Sequence, residues 1–542
     1  MDIPIVRIPF GVNNYTWVIL QPFVWNLLNC LPLPWSSYPD FVRYSHRSWH
    51  FLEKSRPNTA LGPVWALVSP EEISLHFADP DIIGEIFARW RDFVRPVQKY
   101  RMLAIYGPSV FTVGLDDWPR HRKAVVAPFN DDLMSLVWRE TLCHTRSMLD
   151  AWTTQFRGNI QSLENDLREL TFNVLGAAAF HERGQSQADT GPKDVEKTAE
   201  DYLDTLRTVL ENSILLMLIP YHRFRGTIIP RHLAKVGRAA ESFRSILLKV
   251  LSEETAALGS DSSKRNGLLT PLVRALKPDA REQAKNSAAP VSAKVKKSGL
   301  SVDEILGNSF VINFAGHDTV LLTLTFTLAL LVVHPDVQVW IYREIKMFSG
   351  GRPTDEWRDY ELFLKLKRCQ AVLLETLRIF PPITGIPKIA SHTAPTLRLG
   401  DRILAIPPGT EVFPLLLGVQ TDARYWEDPY IWRPSRWIFR DDKGDEELLI
   451  PHRGTFFPWS EGPQICVGKK FSQVEGVAVL ACLLYEHRLL VQAEAGETQE
   501  QARRRVRNCV DDVNYNLLLR MNHPERVRLK CVPIQTIKPC LD

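Results

Sequence analysis

Cys466 stands between Gly462 and Gly468 in the stretch FFPWSEGPQICVGKKF, residues 456–471, with an aromatic, proline-containing loop before it and an apolar, helix-like run after it. A thiolate at a helix start is stabilised by unpaired backbone N–H groups and by the positive end of the helix dipole. Glycine on either side lets the backbone approach a flat ligand closely. An iron porphyrin is the obvious flat partner, because a Cys thiolate is one of the few protein ligands that haem iron takes axially. A lone Cys in a long chain is, as a residue type, more often a small buried hydrophobe, so the sulfur must be weighed with its companions.

Three further spacings carry chemistry. Residues 301–335, SVDEILGNSFVINFAGHDTVLLTLTFTLALLVVHP, open with a Ser301/Glu304 capping box and are apolar all round, the pattern of the central helix of a large domain. Ala315-Gly316-His317-Asp318-Thr319 interrupts the run, and an acid there argues against a lipid-spanning segment. Gly316 costs the helix about 1 kcal/mol relative to Ala. Close approach of a flat ligand, or a local opening of the helix to oxygen and water, gives it a reason; a kinked core helix is the plainer alternative. Thr319 can then hydrogen-bond dioxygen, and Asp318 can feed protons towards it. In DDWPRHRKAVVAPFN, Trp118 and Arg122 lie four apart on one helix face, where an indole and a guanidinium suit an anion. In AVLLETLRIFPP, Glu375 and Arg378 are helical neighbours that must pair if buried, and the double proline ends the helix.

Together these stretches resemble the cytochrome P-450 family. WSEGPQICVG, residues 459–468, resembles its F-x-x-G-x-R-x-C-x-G loop, with Trp459 in place of Phe and Gln464 in place of Arg. The Arg of the family pairs with a haem propionate, so Gln464 is expected to do no more than donate neutral hydrogen bonds. Trp118 and Arg122 match W-x-x-x-R; AGHDT is similar to A/G-G-x-D/E-T, with Val320 where a second Thr or Ser is frequent. Glu375 and Arg378 match E-x-x-R, whose third member is Arg436 of WRPSRW, and Lys388 falls at the place of a propionate-binding cation.

The resemblance implies a mainly α cytochrome P-450 fold, a large helical domain with small β-sheets and haem b buried between the central helix and the Cys loop. Cys466 would be the axial iron ligand. Trp118, Arg122, Lys388, Gly316, Trp459, Gln464 and Gly468 would surround the cofactor, Thr319 and Asp318 would be catalytic, and Glu375, Arg378 and Arg436 structural. Met102, Ile105, Tyr106, Ile312, Phe314, Ala315, Ile383, Thr384 and Ile386 would line a mostly apolar substrate pocket. The implied activity is monooxygenation of a hydrophobic small molecule with dioxygen and electrons from a separate NADPH-cytochrome P-450 reductase. Desaturation, ring coupling or dehydration on the same haem, and a non-catalytic haem-thiolate sensor, remain as alternatives. The wording of the motifs is similar to membrane-bound members of filamentous fungi, many of which tailor secondary metabolites.

The composition agrees with one large globular unit. Of 542 residues 45% are hydrophobic and 24% charged, and a net charge of +4 is too small to argue for nucleic acid. Eight scattered cysteines have neither metal-site nor disulfide spacing, which reads as a reduced, cytosolic chain. There is no G-x-G-x-x-G after a strand, so electrons must come from another protein; Lys469 and Lys470 offer positive charge to an acidic flavoprotein.

Residues 8–39 carry no charge, and 15–35 just reach the roughly 20 residues of a membrane span, interrupted by Gln21, Pro22, Asn26 and Asn29. An uncleaved anchor over 1–35, spanning or lying in the interface, is expected, with Arg43, Arg47, Lys54 and Arg56 on the cytosolic side. A catalytic domain over 36–542 would then sit against lipid on the cytosolic face of the endoplasmic reticulum. The bland alternative is a buried N-terminal helix. Strands are expected at 62–70 and 71–80, a helix with an acidic cap from Asp81 to Trp90, and helices through 131–257. Residues 277–299 read as a mobile surface linker, and 406–413 and 514–532 as β-hairpin material.

Overall fold

The computed structural model describes residues 3–180, 204–224, 229–257, 268–276 and 299–534, apart from positions 13, 29, 32, 161, 359 and 516. The expected linker lies outside the described residues except for Gly299. Six strands form the main sheet: β1 (Ile5–Arg7), β2 (Val64–Val68), β3 (Ile73–Phe77), β4 (Phe93–Val94), β5 (Lys388–Ala390) and β6 (Glu411–Pro414), ordered β1-β2-β3-β6-β5-β4. The expected pair is present, with β2 antiparallel to β3 and Ala66 opposite Leu75. The segment expected as a hairpin near 406–413 instead supplies β6, which runs parallel to β3 and antiparallel to β5. Val412 is fully buried between those neighbours, a placement that only distant strands can create. A true hairpin, β7 (Val513–Tyr515) with β8 (Leu519–Met521), follows where expected, and Leu519 N donates to Pro382 O at 2.9 Å.

The helices that frame the site are α1 (Tyr15–Leu28), α2 (Pro80–Ala88), α3 (Trp118–Val126), α4 (Asp131–Asp150), α5 (Leu163–Phe180), α6 (Arg231–Ala257), α7 (Val302–Val333), α8 (Lys367–Ile379) and α9 (Lys469–Glu486). α2 starts one residue earlier than expected because Asp79, not Asp81, accepts from the N–H groups of Asp81 and Ile82. At α7 the capping box forms as read: Ser301 N donates to Glu304 Oε2 at 2.8 Å and Glu304 N donates to Ser301 Oγ at 3.3 Å. α7 is the one described helix long and apolar enough to cross a membrane, but it is mostly buried inside the protein. It packs against α5 and α8, while α4 packs on α9. Leu321, Leu324, Leu328 and Leu331 have no exposed surface, and each such burial contributes about 1.5–3 kcal/mol.

Behind the Cys loop, α8 is locked by buried charge. Arg378 and Glu375 are both wholly buried, with Nε to Oε2 at 2.9 Å, and Arg436 Nε reaches Glu375 Oε1 at 3.0 Å. Trp437 Nε1 adds a 2.8 Å bond to the same carboxylate, and Arg378 donates to the carbonyls of Gln420 and Pro429. A buried pair is tolerated when its remaining donors and acceptors are matched in this way.

The segment expected as an anchor is woven into the fold. β1 precedes it and pairs with β2, while α1 has only 14 residues and puts Trp17 and Trp25 against the domain.

Candidate active site

Two elements are clamped together before any cofactor is considered. Arg120 of α3 donates to both Glu304 oxygens at 2.7 Å. Burial alone would raise the Glu304 pKa, but the Arg120 and His121 hydrogen bonds take it well below the carboxylate range. This ties α3 to the start of α7 and sets Trp118 and Arg122 on the next face of α3. Trp118 is buried against Trp90, ring centroids 4.8 Å apart.

The Cys loop is held from both sides. Gly462 sits at φ +72°, and a Cβ there would lie 2.8 Å from the Phe87 carbonyl oxygen of α2, so only glycine allows the approach. Cys466 N donates to Trp459 O at 2.9 Å, and Trp459 Nε1 donates to Ser472 Oγ at 3.0 Å. Gly468 caps α9, and a Cβ on it would come 3.9 Å from Cys466 Sγ. The thiol is reachable by solvent although protein surrounds it. Burial pushes its pKa up; the Gly468 N–H and the Arg122 charge pull it down.

α7 presents a matching open stripe. Ala315 is exposed in the middle of a helix whose Val311, Asn313, His317 and Val320 are buried, and Ile312, Gly316 and Thr319 are partly open. Those positions share one helix face. Val467, Ile312 and Phe314 pack against the same hydrophobic cluster, which the Cys loop and α7 therefore share. Thr319 Oγ1 donates to Ala315 O at 2.8 Å. No opening accompanies Gly316: the helix is continuous, and the missing Cβ looks at Leu175 of α5 at 3.4 Å. That distance is an ordinary contact, so packing against α5 does not by itself require glycine there. Asp318 faces Arg168 at 3.2 Å, Arg520 at 2.6 Å and His317 Nδ1 at 3.2 Å. Burial would raise its pKa, yet His317 and the two guanidinium groups bring it down to about 2.

Three cations gather without a carboxylate partner among the described residues. Arg122 has its pKa lowered by burial, opposed by Cys466. Arg95, which the motifs did not single out, donates to Val110 O at 2.6 Å; burial and the repulsion of Arg122 lower its pKa to about 10. Lys388 is buried over the Phe87 ring, and burial with the Arg95 charge lowers its pKa to about 7. Gln464 differs from expectation: its Oε1 accepts a 2.6 Å hydrogen bond from Lys388 Nζ, so it orients a cation as well as offering its own N–H groups.

The expected substrate residues divide. Ile383 is exposed, Ile105 and Phe314 are partly open, and Phe314 stacks on Phe310. Ile386 packs against the sheet core, Met102 is exposed, and Thr384 is buried and hydrogen-bonded to Tyr515 of β7. Tyr106 is turned away: its hydroxyl donates to Ala240 O of α6 at 3.1 Å, and its ring lies among Tyr221, Phe243 and Phe310. It is a core residue because its hydroxyl has a buried partner there.

A thiol beside Arg122, with Arg95 and Lys388 following as further cations that lack a carboxylate partner among the described residues, and an open small-residue face on α7 fit an iron porphyrin with two carboxylates. The family profile of cytochrome P-450 matches residues 34–507. A cytochrome P-450 monooxygenase of Arthrobotrys oligospora is 29% identical over 96% of this chain and 91% of its own. One of Postia placenta is 31% identical over 79% of this chain and 78% of its own. The phomenoic acid biosynthesis cluster cytochrome P-450 monooxygenase of Leptosphaeria maculans is 25% identical, covering 93% of this chain and 90% of its own. A crystal structure titled cytochrome P-450DA heme domain has the same fold, with TM-score 0.65, 17% identity and coverage of 92% and 96%. The chain therefore belongs to the cytochrome P-450 family of haem-dependent monooxygenases.

Proposed function

We propose that this protein oxidises a hydrophobic small molecule in fungal secondary metabolism, drawing electrons from a separate NADPH-cytochrome P-450 reductase at the cytosolic face of the endoplasmic reticulum membrane. The observation that carries the reading is the Cys466 thiol, solvent-exposed although protein surrounds it, with Arg122 acting on it and its neighbour Val467 packed against the same hydrophobic cluster as Ile312 and Phe314 of α7. The relative from a phomenoic acid cluster supports the metabolic setting.

Cys466 Sγ would ligate the iron as thiolate, with the Gly468 N–H and Arg122 offsetting the burial that opposes its charge. Arg122, Arg95 and Lys388 would hold the propionates, Gln464 fixing the Lys388 ammonium. Bound haem supplies dioxygen activation, with thiolate donation favouring O–O cleavage. Thr319 presents a hydroxyl to the cavity, already satisfied as donor by Ala315 O and free to accept a proton-bearing group. Asp318 stores its carboxylate between Arg168 and Arg520, from which it must swing to pass a proton inward. The apolar lining around Ile312 and Ile383 excludes water and favours a hydrocarbon-rich substrate. Lys469 and Lys470, at the start of α9, suit an acidic electron donor that approaches from the thiolate side.

The test is turnover of the full chain with a fungal reductase, NADPH and labelled dioxygen on a panel of apolar metabolites that shift the haem spectrum. One labelled oxygen atom in the product is expected; substrate-dependent NADPH use with no label in any product contradicts the reading.

A further inference from the structure

We propose that Asn308 of α7 is a positioning residue that aims Arg95 and Arg122 together; this rests on the reading above that both cations hold haem propionates.

Asn308 is wholly buried, and its amide is fully used. Its Oδ1 accepts from Val110 N at 2.8 Å, while Nδ2 donates to Glu304 O at 2.6 Å and lies 2.9 Å from His121 Nδ1. An amide nitrogen only donates, so His121 Nδ1 accepts and the ring proton sits on Nε2, 3.4 Å from Glu304 Oε1. The amide cannot be turned over, because its oxygen would then meet the Glu304 carbonyl and its nitrogen the Val110 N–H. His121 has no exposed surface either, so neither group has water as a substitute partner.

Each partner leads to a cation. Val110 is held at both of its backbone groups: the N–H goes to Asn308, and the carbonyl accepts from Arg95 Nη1 at 2.6 Å. The same guanidinium lies over the Phe111 ring, 4.7 Å from its centroid. His121 immediately precedes Arg122 on α3, so holding the ring holds the turn that carries Arg122. Arg95 and Arg122 repel each other. Left unanchored, two like charges would turn apart; the bonds of Asn308 to both supporting segments oppose that.

The backbone brings those segments within reach. Gly107 sits at φ +142°, and a Cβ there would overlap the Asp303 carbonyl; a Cβ on Gly307 would overlap the carbonyls of Gly107 and Pro108. Glycine at both positions lets the loop lie directly on α7, next to Asn308. Ile105, Phe111 and Val113 of this loop pack on the same cluster as Ile312, Phe314 and Val467. Asn308 therefore joins the loop, the central helix and α3 at one buried amide.

The test is binding of iron protoporphyrin IX, and of its dimethyl ester with uncharged propionates, to the full haem-free chain. Asn308→Leu keeps the volume but leaves Val110 N–H and His121 Nδ1 unpartnered. It should lower affinity for haem about tenfold more than affinity for the diester, since only haem has charges for the misaimed cations to miss. His121→Phe interrupts the Arg122 arm alone and should give a smaller loss with the same preference. Equal losses with both porphyrins, no loss with either, or variants that hold neither make Asn308 a packing residue and overturn the proposal. Wild type that binds the diester as tightly as haem overturns the propionate reading itself. The ferrous carbon monoxide band reports thiolate ligation separately in every case.

Discussion

Lys388 Nζ donates a 2.6 Å hydrogen bond to Gln464 Oε1, joining the main sheet to the loop that carries Cys466. The pair stands where the family pattern would bring two cations face to face. Gln464 thus relieves a repulsion that the buried, partly neutralised Lys388 already feels from Arg95.

Haem binding should therefore be linked to protons. The folded pKa of Lys388, about 7, is depressed from 10.5. The unfolded chain then binds the extra proton between those values, so this group makes the haem-free fold more stable as pH rises from 7 towards 10.5. A propionate would favour the ammonium form, so haem binding above pH 7 must take up a proton and weaken as pH rises. Calorimetric titration of haem-free protein in buffers of different ionisation enthalpy measures the uptake. Lys388→Met should abolish it and weaken haem binding by about 10-fold or more, the loss of one charge-assisted hydrogen bond.

The Glu375 lock should tolerate almost nothing. Its carboxylate is shared by Arg378, Arg436 and Trp437, so Glu375→Ala leaves two guanidinium groups uncompensated. A destabilisation of about 3–5 kcal/mol is expected, read as a lower urea midpoint and loss of haem on purification.

Asp318 and Thr319 should fail differently. Asp318→Asn releases Arg520, leaves Arg168 paired with Glu164 and removes the proposed proton carrier, so kcat should fall about 100-fold with a larger solvent isotope effect. Thr319→Ala leaves the ion pairs in place; NADPH consumption should persist while hydrogen peroxide replaces product. Arg520→Gln should raise the Asp318 pKa from about 2 and move the acid limb of the rate profile upward.

Gly462→Ala tests the loop. The new Cβ would press on the Phe87 carbonyl at 2.8 Å and sit at φ +72°; strain and overpacking together cost about 2–5 kcal/mol. Since α2 is rigidly packed, the Cys loop should yield, giving lower haem occupancy with little change in helix content by circular dichroism.

Local patterns were readable and distant pairings were not. The Ser301/Glu304 cap and the Glu375/Arg378 pair both join residues three apart on a helix, where spacing alone decides proximity. Arg95 follows β4, which is placed by the distant strand β5, and Tyr515 lies on the β7–β8 hairpin, which bonds to Ser48 and Pro382 hold in place from far along the chain. The apolar N-terminus was only partly readable for a related reason. Composition marks 15–35 as membrane-seeking, but whether the helix spans depends on β1 pairing with β2. Tyr106 sits in the expected loop, yet a single buried acceptor, Ala240 O, turned it into the core.

Whether the Cys466 sulfur binds haem iron as a thiolate is read most directly from the ferrous carbon monoxide spectrum of freshly purified, haem-loaded, folded protein. Thiolate ligation gives a band at about 450 nm that is lost in Cys466→Ser, and a wild-type band at about 420 nm would contradict it.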